Sequence, residues 1–370
     1  MRIERTPDGQ RLVLAAETAA EARALGLVPA WQAQSKSWSD RNLPLLVVDP
    51  QSAAISVGTW TGGNGMTPLV LLAPPLSGIG RAVGLRAIFD AYGYLSFRRP
   101  FGHDSVFANP AYIAGHGLKT LDQAAQHADA FSGAVGICAL DQPGGTIWDI
   151  HAAVPPGALL ANPETRVVHL VRDPRDMLVS AYFFFKRQAE NASGGETFDA
   201  TLRDDEFDSG NKAAALLKLI AHGHVLVSAQ KFSVIESPRR YLERLLPGLS
   251  HPRVFTLRYE RQHRDPEAQY GELIDWLAAA NGGRGLAGRD AIIADAVRRG
   301  TFDLQTGGKM KEGAQDEAPR EISPGGHVRK GIVGDWRNHF TPEVSRAFHD
   351  AVGELLLDAG FEADPDWWRS

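Results

Sequence analysis

One stretch, Arg166–Lys186, reads RVVHLVRDPRDMLVSAYFFFK and limits the chain to few architectures. Val167, Val168, Leu170 and Val171 form the kind of β-branched apolar run that a strand buried on both faces requires, and such strands belong to parallel sheets. Asp173 then has the side chain of an N-cap, Pro174 fits the first helical position, and Asp176 stands where an acidic capping-box partner would. Met177, Leu178, Ala181, Tyr182 and Phe185 continue at helical spacing. The stretch therefore reads as strand, tight turn and helix N-terminus, with Arg172 at the strand tip and Ser180 one to two turns further on. A helix N-terminus gathers unpaired N–H groups and the positive end of the helix dipole, so this junction suits an anion. A plainer reading stays open at this point: Arg172 paired with Asp176, and Ser180 a small residue on a packed helix.

The same alternation continues on both sides. Leu69–Ala73, Ala134–Leu140, Thr146–Ile150 and Val254–Arg258 are strand candidates. Ala82–Tyr92 (stopped by Gly93), Asn211–Gln230 (with a break near Gly223), Tyr270–Ala280 and Pro342–Leu357 are helix candidates. Strands alternating with helices predict an α/β fold, a parallel sheet flanked by helices. Residues 1–65 differ. Arg2–Arg5 and Arg11–Leu14 flank Pro7-Asp8-Gly9, a helical patch runs from Glu17 to Leu25, and Leu43–Val48 and Ala54–Trp60 flank Asp49-Pro50. This predicts a small β-rich N-terminal extension, 1–65, ahead of the α/β domain, 66–370. Lys309–His327 is polar with glycine and proline, and reads as a lid-like loop.

Composition narrows the partners. A net charge of −5 lacks the basic excess of a nucleic-acid surface, so any anion site is a local cluster. The single cysteine, Cys138, excludes an internal disulfide and fits a reducing compartment. No apolar run approaches the roughly 18 residues of a membrane span, and MRIERTPDGQ has no signal-peptide core, so a cytoplasmic protein without a membrane partner is expected. The histidines, His222 and His224 among them, show no metal-ligand spacing, and no metal is expected.

Two further clusters carry anion-binding features. PPLSGIGR, Pro74–Arg81, follows an apolar strand and opens a helix. Ser77, Gly78, Ile79 and Gly80 fit a loop whose backbone comes close to a phosphate, although the GK[ST] ending of a Walker A loop is missing. Arg329-Lys330-Gly331 sets two cations beside a glycine, and Gly334-Asp335-Trp336-Arg337-Asn338 follows. Each alone also reads as an ordinary turn or a solvated basic loop. Together with Arg172 they point to one ligand at the carboxyl edge of the sheet.

With these clusters in order, the chain resembles the sulfotransferases that use 3′-phosphoadenosine-5′-phosphosulfate (PAPS), over roughly Pro68–Phe361. VVHLVRDPRDMLVSAYFFF is similar to the family's 3′-phosphate strand–helix, which makes Arg172 and Ser180 the phosphate ligands. RKGIVGDWRNHFT, Arg329–Thr341, resembles the family's C-terminal signature, and LRYE, Leu257–Glu260, its strand-end element. Thr301-Phe302-Asp303 resembles the segment that lines the adenine site. WDIHAAVPP makes His151 the counterpart of the catalytic base. Two positions depart from the pattern: Leu76 stands where the family's loop has a cation, and Asp149 where a lysine often precedes the histidine. The aromatic that usually ends the loop is Arg81.

The resemblance implies a P-loop-like sheet and transfer of a sulfuryl group from PAPS to a hydroxyl of a small-molecule or glycan acceptor. His151 would be general base and Arg81 the replacement cation, with Lys309 or Lys311 as further options. The nucleotide would rest on Ser77–Arg81, Arg172, Ser180, Thr301, Phe302, Arg329, Lys330 and Gly331. The acceptor pocket is expected from loops at Phe97–His116 and Gln188–Lys231 and from the lid-like loop, and the family allows a homodimer. Two other readings stay open: a degenerate module that binds nucleotide or a partner without turnover, and a P-loop kinase.

Overall fold

The computed structural model describes residues 2–5, 12–15, 46–48, 54–57, 66–74, 76, 81–98, 146–150, 160, 163–191, 212–227, 232–309, 312–313 and 329–369. The strands in chain order are β1 Arg2–Arg5, β2 Leu12–Ala15, β3 Leu46–Val48, β4 Ala54–Val57, β5 Leu69–Leu72, β6 Leu95–Arg98, β7 Thr146–Ile150, β8 Arg166–Val171, β9 His224–Val227, β10 Phe232–Ile235 and β11 Val254–Arg258. The helices are α1 Leu85–Tyr92, α2 Pro174–Asn191, α3 Lys212–His222, α4 Pro238–Leu249, α5 Tyr259–Arg264, α6 Pro266–Ala280, α7 Arg289–Arg299, α8 Phe302–Thr306 and α9 Pro342–Asp358.

Five strands form a parallel sheet in the order β11-β8-β5-β7-β6. β5 is apolar along its whole length and β8 nearly so, as strands covered on both faces are. Val168, Leu170, Leu257, Leu69 and Leu71 pack with Tyr92, Tyr270, Leu273 and Ile293 in one core cluster. Val171 packs with Tyr182, Phe185, Leu216, Leu242 and Phe348 in another. From β5 the chain runs to β6, on one side of the sheet, whereas from β8 it continues to β11, on the other. The connections diverge between β5 and β8, and the carboxyl-end crevice at such a divergence is where open α/β sheets place ligands. Both strands end there, β5 in the loop of Pro74 and Leu76 and β8 in Arg172.

Strands β1–β4 form their own antiparallel sheet, ordered β1-β2-β4-β3. Among the described residues no helix is long and apolar enough to cross a membrane.

The expected strands β5, β7, β8 and β11 form within a residue of their predicted ends. The helix expected over Asn211–Gln230 does not. It stops at His222, Gly223 turns with φ 69°, and the same apolar run continues as β9, paired antiparallel with β10. A Cβ at Gly223 would lie 2.3 Å from the carbonyl oxygen of Ile235, so only glycine allows this turn beneath β10. Hydrophobic periodicity alone does not separate a buried strand from a buried helix. The helix expected from Ala82 begins as a 3₁₀ turn, Arg81–Gly84, before α1, and ends at Gly93 as predicted. α6 begins earlier than Tyr270, at Pro266, because Asp265 accepts the Ala268 N–H as its cap. Phe97 and Arg98, expected to open an acceptor loop, lie in β6.

Candidate functional site

Arg172 leaves β8 at the crevice and is buried, 7% exposed. Its Nη1 donates to the Ser180 hydroxyl at 3.2 Å and to the Leu76 carbonyl at 3.2 Å. Its guanidinium lies over the Tyr259 ring, 4.4 Å from the centroid. One side chain thus joins the ends of β5, β8 and β11. Leu76 has a left-handed backbone, φ 64°, sparsely populated by residues other than glycine, asparagine and aspartate. Arg172 Nε is buried and has no acceptor among the described residues.

The main chain beneath Arg172 is held as firmly. The Tyr241 hydroxyl, on α4, accepts the Arg172 N–H at 3.4 Å and donates to the Arg172 carbonyl at 3.3 Å. Glu260 Oε1 accepts the Asp173 N–H at 2.7 Å. Burial, then the nearby Asp173 carboxylate, pushes the Glu260 carboxyl up to about 7. Burial also raises the Tyr241 phenol well above its ordinary value.

With the Asp173 N–H taken by Glu260, Asp176 does not close a capping box. Its buried carboxylate accepts instead the N–H groups of Gly334, at 2.7 Å, and Trp336, at 3.0 Å. Arg175 pairs with Asp173 at 2.7 Å and Glu362 at 2.9 Å, its guanidinium 4.2 Å from the Trp336 ring and 4.6 Å from that of Trp367. These contacts fasten the 3₁₀ turn Asp335–Asn338 to the first turn of α2.

Asp335, fully buried, gathers the C-terminal cluster. It accepts from Arg329 Nη1, from Lys330 Nζ at 3.2 Å, Asn338 Nδ2 at 2.9 Å and His339 Nε2 at 3.1 Å. Burial opposes its ionisation, but the hydrogen bonds from His339 and Asn338 and the Arg329 charge hold the carboxyl far below the usual carboxylate range. Lys212 Nζ lies 3.1 Å from His339 Nδ1. An ammonium only donates, so Nδ1 accepts and Nε2 carries the proton towards Asp335.

Arg329, 9% exposed, lies 5.1 Å over the Phe183 ring, and its Nε is also buried without an acceptor among the described residues. Asp176, Ser180 and Phe183 are spaced i, i+4, i+7 and so share one face of α2. Arg172 meets that face at Ser180 and Arg329 meets it at Phe183, three residues further along the helix. Two buried guanidinium groups with unused N–H donors, beside a serine hydroxyl, fit a phosphate.

Phe302 packs its ring on Gly331, φ 72°, where a Cβ would come within 2.4 Å of the ring. Thr301 spends its hydroxyl on capping α8, accepting from Leu304 N at 3.4 Å and donating to Arg298 O at 2.9 Å. The structure thus brings Thr301 and Phe302 to the RKG turn. Gly313 touches that turn as well, its N–H on the Lys330 carbonyl at 2.8 Å.

Ser77, Gly78, Ile79, Gly80, Cys138, His151, Lys311 and the Ala134–Leu140 strand lie outside the described residues. Arg81 opens its 3₁₀ turn, and Asp149 lies in β7, one residue before its end. Lys309 is exposed just after α8. His222 ends α3 at the surface, whereas His224, expected on the surface or at the acceptor pocket, is fully buried against Phe185 at 4.2 Å. Phe184 and Phe185 are core, and Phe183 forms the wall beside Arg329 and His339. Sequence reasoning gave no role to Tyr241, Glu260 or Asp335 at this site, and Asp176, expected to cap α2 or pair with Arg172, tethers Gly334 and Trp336 instead. The RYE and GDW runs were the only signal for Glu260 and Asp335, and Tyr241 left none.

A sulfotransferase-domain family model matches residues 150–360, more than half of the chain. Cytosolic sulfotransferase 3 of Arabidopsis thaliana is 25% identical over 197 residues, 52% of this chain and 54% of the relative. Sulfotransferase 2A1 of Rattus norvegicus is 26% identical over 202 residues, 55% of this chain and 60% of the relative. The chain thus spans little more than half the length of these curated relatives. Among solved structures, mouse sulfotransferase SULT7A1 complexed with PAP aligns with a TM-score of 0.46 at 19% identity, over 80% of this chain and 85% of that one.

Proposed function

The chain belongs to the sulfotransferase family, and on that footing we propose that it transfers a sulfuryl group from PAPS to a hydroxyl of a small-molecule or glycan acceptor. The observation that carries this reading is the pair of buried guanidinium groups, Arg172 and Arg329, set beside Ser180 along one face of α2. Bound there, PAPS would supply the sulfuryl group, leaving its desulfated product, PAP.

The chain's own residues divide the work. Arg172 and Arg329 direct their unused N–H donors at the 3′-phosphate, and Ser180 adds its hydroxyl. Lys330 contributes charge and Gly331 a backbone without a side chain in the way. Phe302, backed by Gly331, offers a flat apolar face to the base. His151, the next residue in sequence after β7, takes the proton of the acceptor hydroxyl on a neutral imidazole nitrogen. Arg81 stabilises charge developing on the leaving side, the task left open by Leu76. Residues 66–370 form the transfer domain in this reading, and residues 1–65 an extension.

His151→Ala tests the chemistry. Loss of a proton acceptor in the transition state costs about 10²–10⁴-fold in rate, so turnover should fall by at least about a hundredfold while PAP affinity stays within twofold. A second reading has its own observation: Leu76 occupies the cation's place and its carbonyl is held by Arg172. If wild-type protein binds PAP but transfers sulfuryl to no phenol, alcohol or glycan, the binding-module reading replaces transfer.

A further inference from the structure

The carboxyl group of Glu260 is not used by the mechanism above, although it sits in the layer that holds Arg172. Oε1 accepts the Asp173 N–H at 2.7 Å, while Oε2 is buried and has no partner among the described residues. The preceding residue, Tyr259, supplies the ring on which the Arg172 guanidinium rests, 4.4 Å from its centroid. A carboxylate in this place brings a negative charge to a site meant for a phosphate, whose own second ionisation lies near a pKa of about 6.

Resting on the nucleotide reading, we infer that Glu260 is a positioning residue whose protonated form holds the Arg172–Asp173 turn, so that binding of a 3′-phosphate is coupled to uptake of one proton at Glu260. A protonated carboxyl keeps the acceptor for Asp173 N–H and loses the charge that opposes the phosphate. The Arg172 charge favours the carboxylate, but burial and Asp173 outweigh it, and no described group donates to the second oxygen. The Asp173 carboxylate, from the β8–α2 turn, is a second negative charge, already paired with Arg175. Arg172 spends Nη1 on Ser180 and Leu76 and rests on the Tyr259 ring, and from α4 the Tyr241 hydroxyl is bonded to the Arg172 main chain. Arg258, on β11, is turned away to the Ala359 carbonyl and the Phe361 ring. His263, on α5, faces the Tyr259 ring and Glu312. Burial, which pushes the Glu260 carboxyl up to about 7 and so favours its protonated form, agrees with this arrangement.

Calorimetry of the full chain in two buffers of different ionisation enthalpy counts the protons. At pH 7.5 to 8, PAP should bind with uptake approaching one proton, and its Kd should rise towards tenfold per pH unit. AMP, which lacks the 3′-phosphate, should bind with no such uptake. Glu260→Gln keeps an acceptor for Asp173 N–H and should bind PAP with a flat pH profile. Equal proton counts for PAP and AMP on the wild type, or the same pH slope in Glu260→Gln as in the wild type, overturn the inference and leave the sulfotransferase reading intact. Failure of PAP to bind at any pH overturns both. The comparison of PAP with AMP uses the wild type alone, so it decides the matter even if the variant does not fold.

Discussion

Arg172 meets Ser180 because eight residues carry the chain from a strand tip, around one turn, and two turns along a helix. The side chain is fixed from three directions, and its planar, forked guanidinium is what makes that possible. Arg172→Lys keeps the charge but not the fork, the stacking or the donor directed into the site. Hydrogen bonds to charged groups are worth about 1.5–3 kcal/mol, so Arg172→Lys should weaken PAP binding roughly ten- to a hundredfold by calorimetry. Ser180→Ala should cost less, and neither should change AMP affinity by more than about twofold. Gly331→Ala tests the adenine wall. Its left-handed backbone adds about 1–2 kcal/mol of strain for any other L-residue, and the new Cβ strikes the Phe302 ring. The melting temperature should fall and PAP affinity with it, whereas Phe302→Leu should spare folding and reduce affinity.

At the scale of elements, the helix α2 organises the site: its first turn holds the C-terminal segment and its next turn holds Arg172. Asp176→Ala strips two buried N–H groups of their acceptor, each costing roughly 1–3 kcal/mol. Chemical denaturation should show a loss of about 2–5 kcal/mol, and PAP affinity should drop because Arg329 and Lys330 are no longer held against α2. Normal stability in Asp176→Ala would show that the tether between α2 and Gly334–Trp336 is not what holds the cluster. Much of this element was legible in sequence. The apolar run, the Asp-Pro start and the position of Ser180 are local signals, and they yield β8 and α2. Asp176 misled because a capping box and a long-range tether use the same residue type, and the choice was made by Glu260, 84 positions beyond it in sequence. The β9–β10 hairpin was hidden for a related reason: its pairing, not its composition, turns an apolar run into a strand. RKG was legible as a cation pair, but the buried Asp335 that orders it was not.

For the whole molecule, the buried carboxyl of Glu260 links folding to pH. Its value is raised from 4.5 to about 7. Between these values the folded state keeps a proton that the unfolded chain has released, so the contribution to stability is full below 4.5 and is lost as pH rises through 7. Wild type minus Glu260→Gln, measured by denaturation from pH 4 to 8, should show this loss. A difference independent of pH would contradict it.

The placing of three distant segments (the ends of β5 and β8, and the RKG turn) around one crevice is the central claim, with a nucleotide 3′-phosphate as the proposed ligand. Ligands that bind only the folded state stabilise it by about 2.7 kcal/mol at a hundred times Kd, so thermal unfolding with PAP, AMP and ATP reads the claim directly. PAP should raise the melting temperature well above the shift given by equal concentrations of AMP or ATP, and the excess should vanish in Arg172→Ala. No stabilisation by PAP, or equal stabilisation by all three, would contradict the assignment of Arg172, Ser180 and Arg329 to a 3′-phosphate.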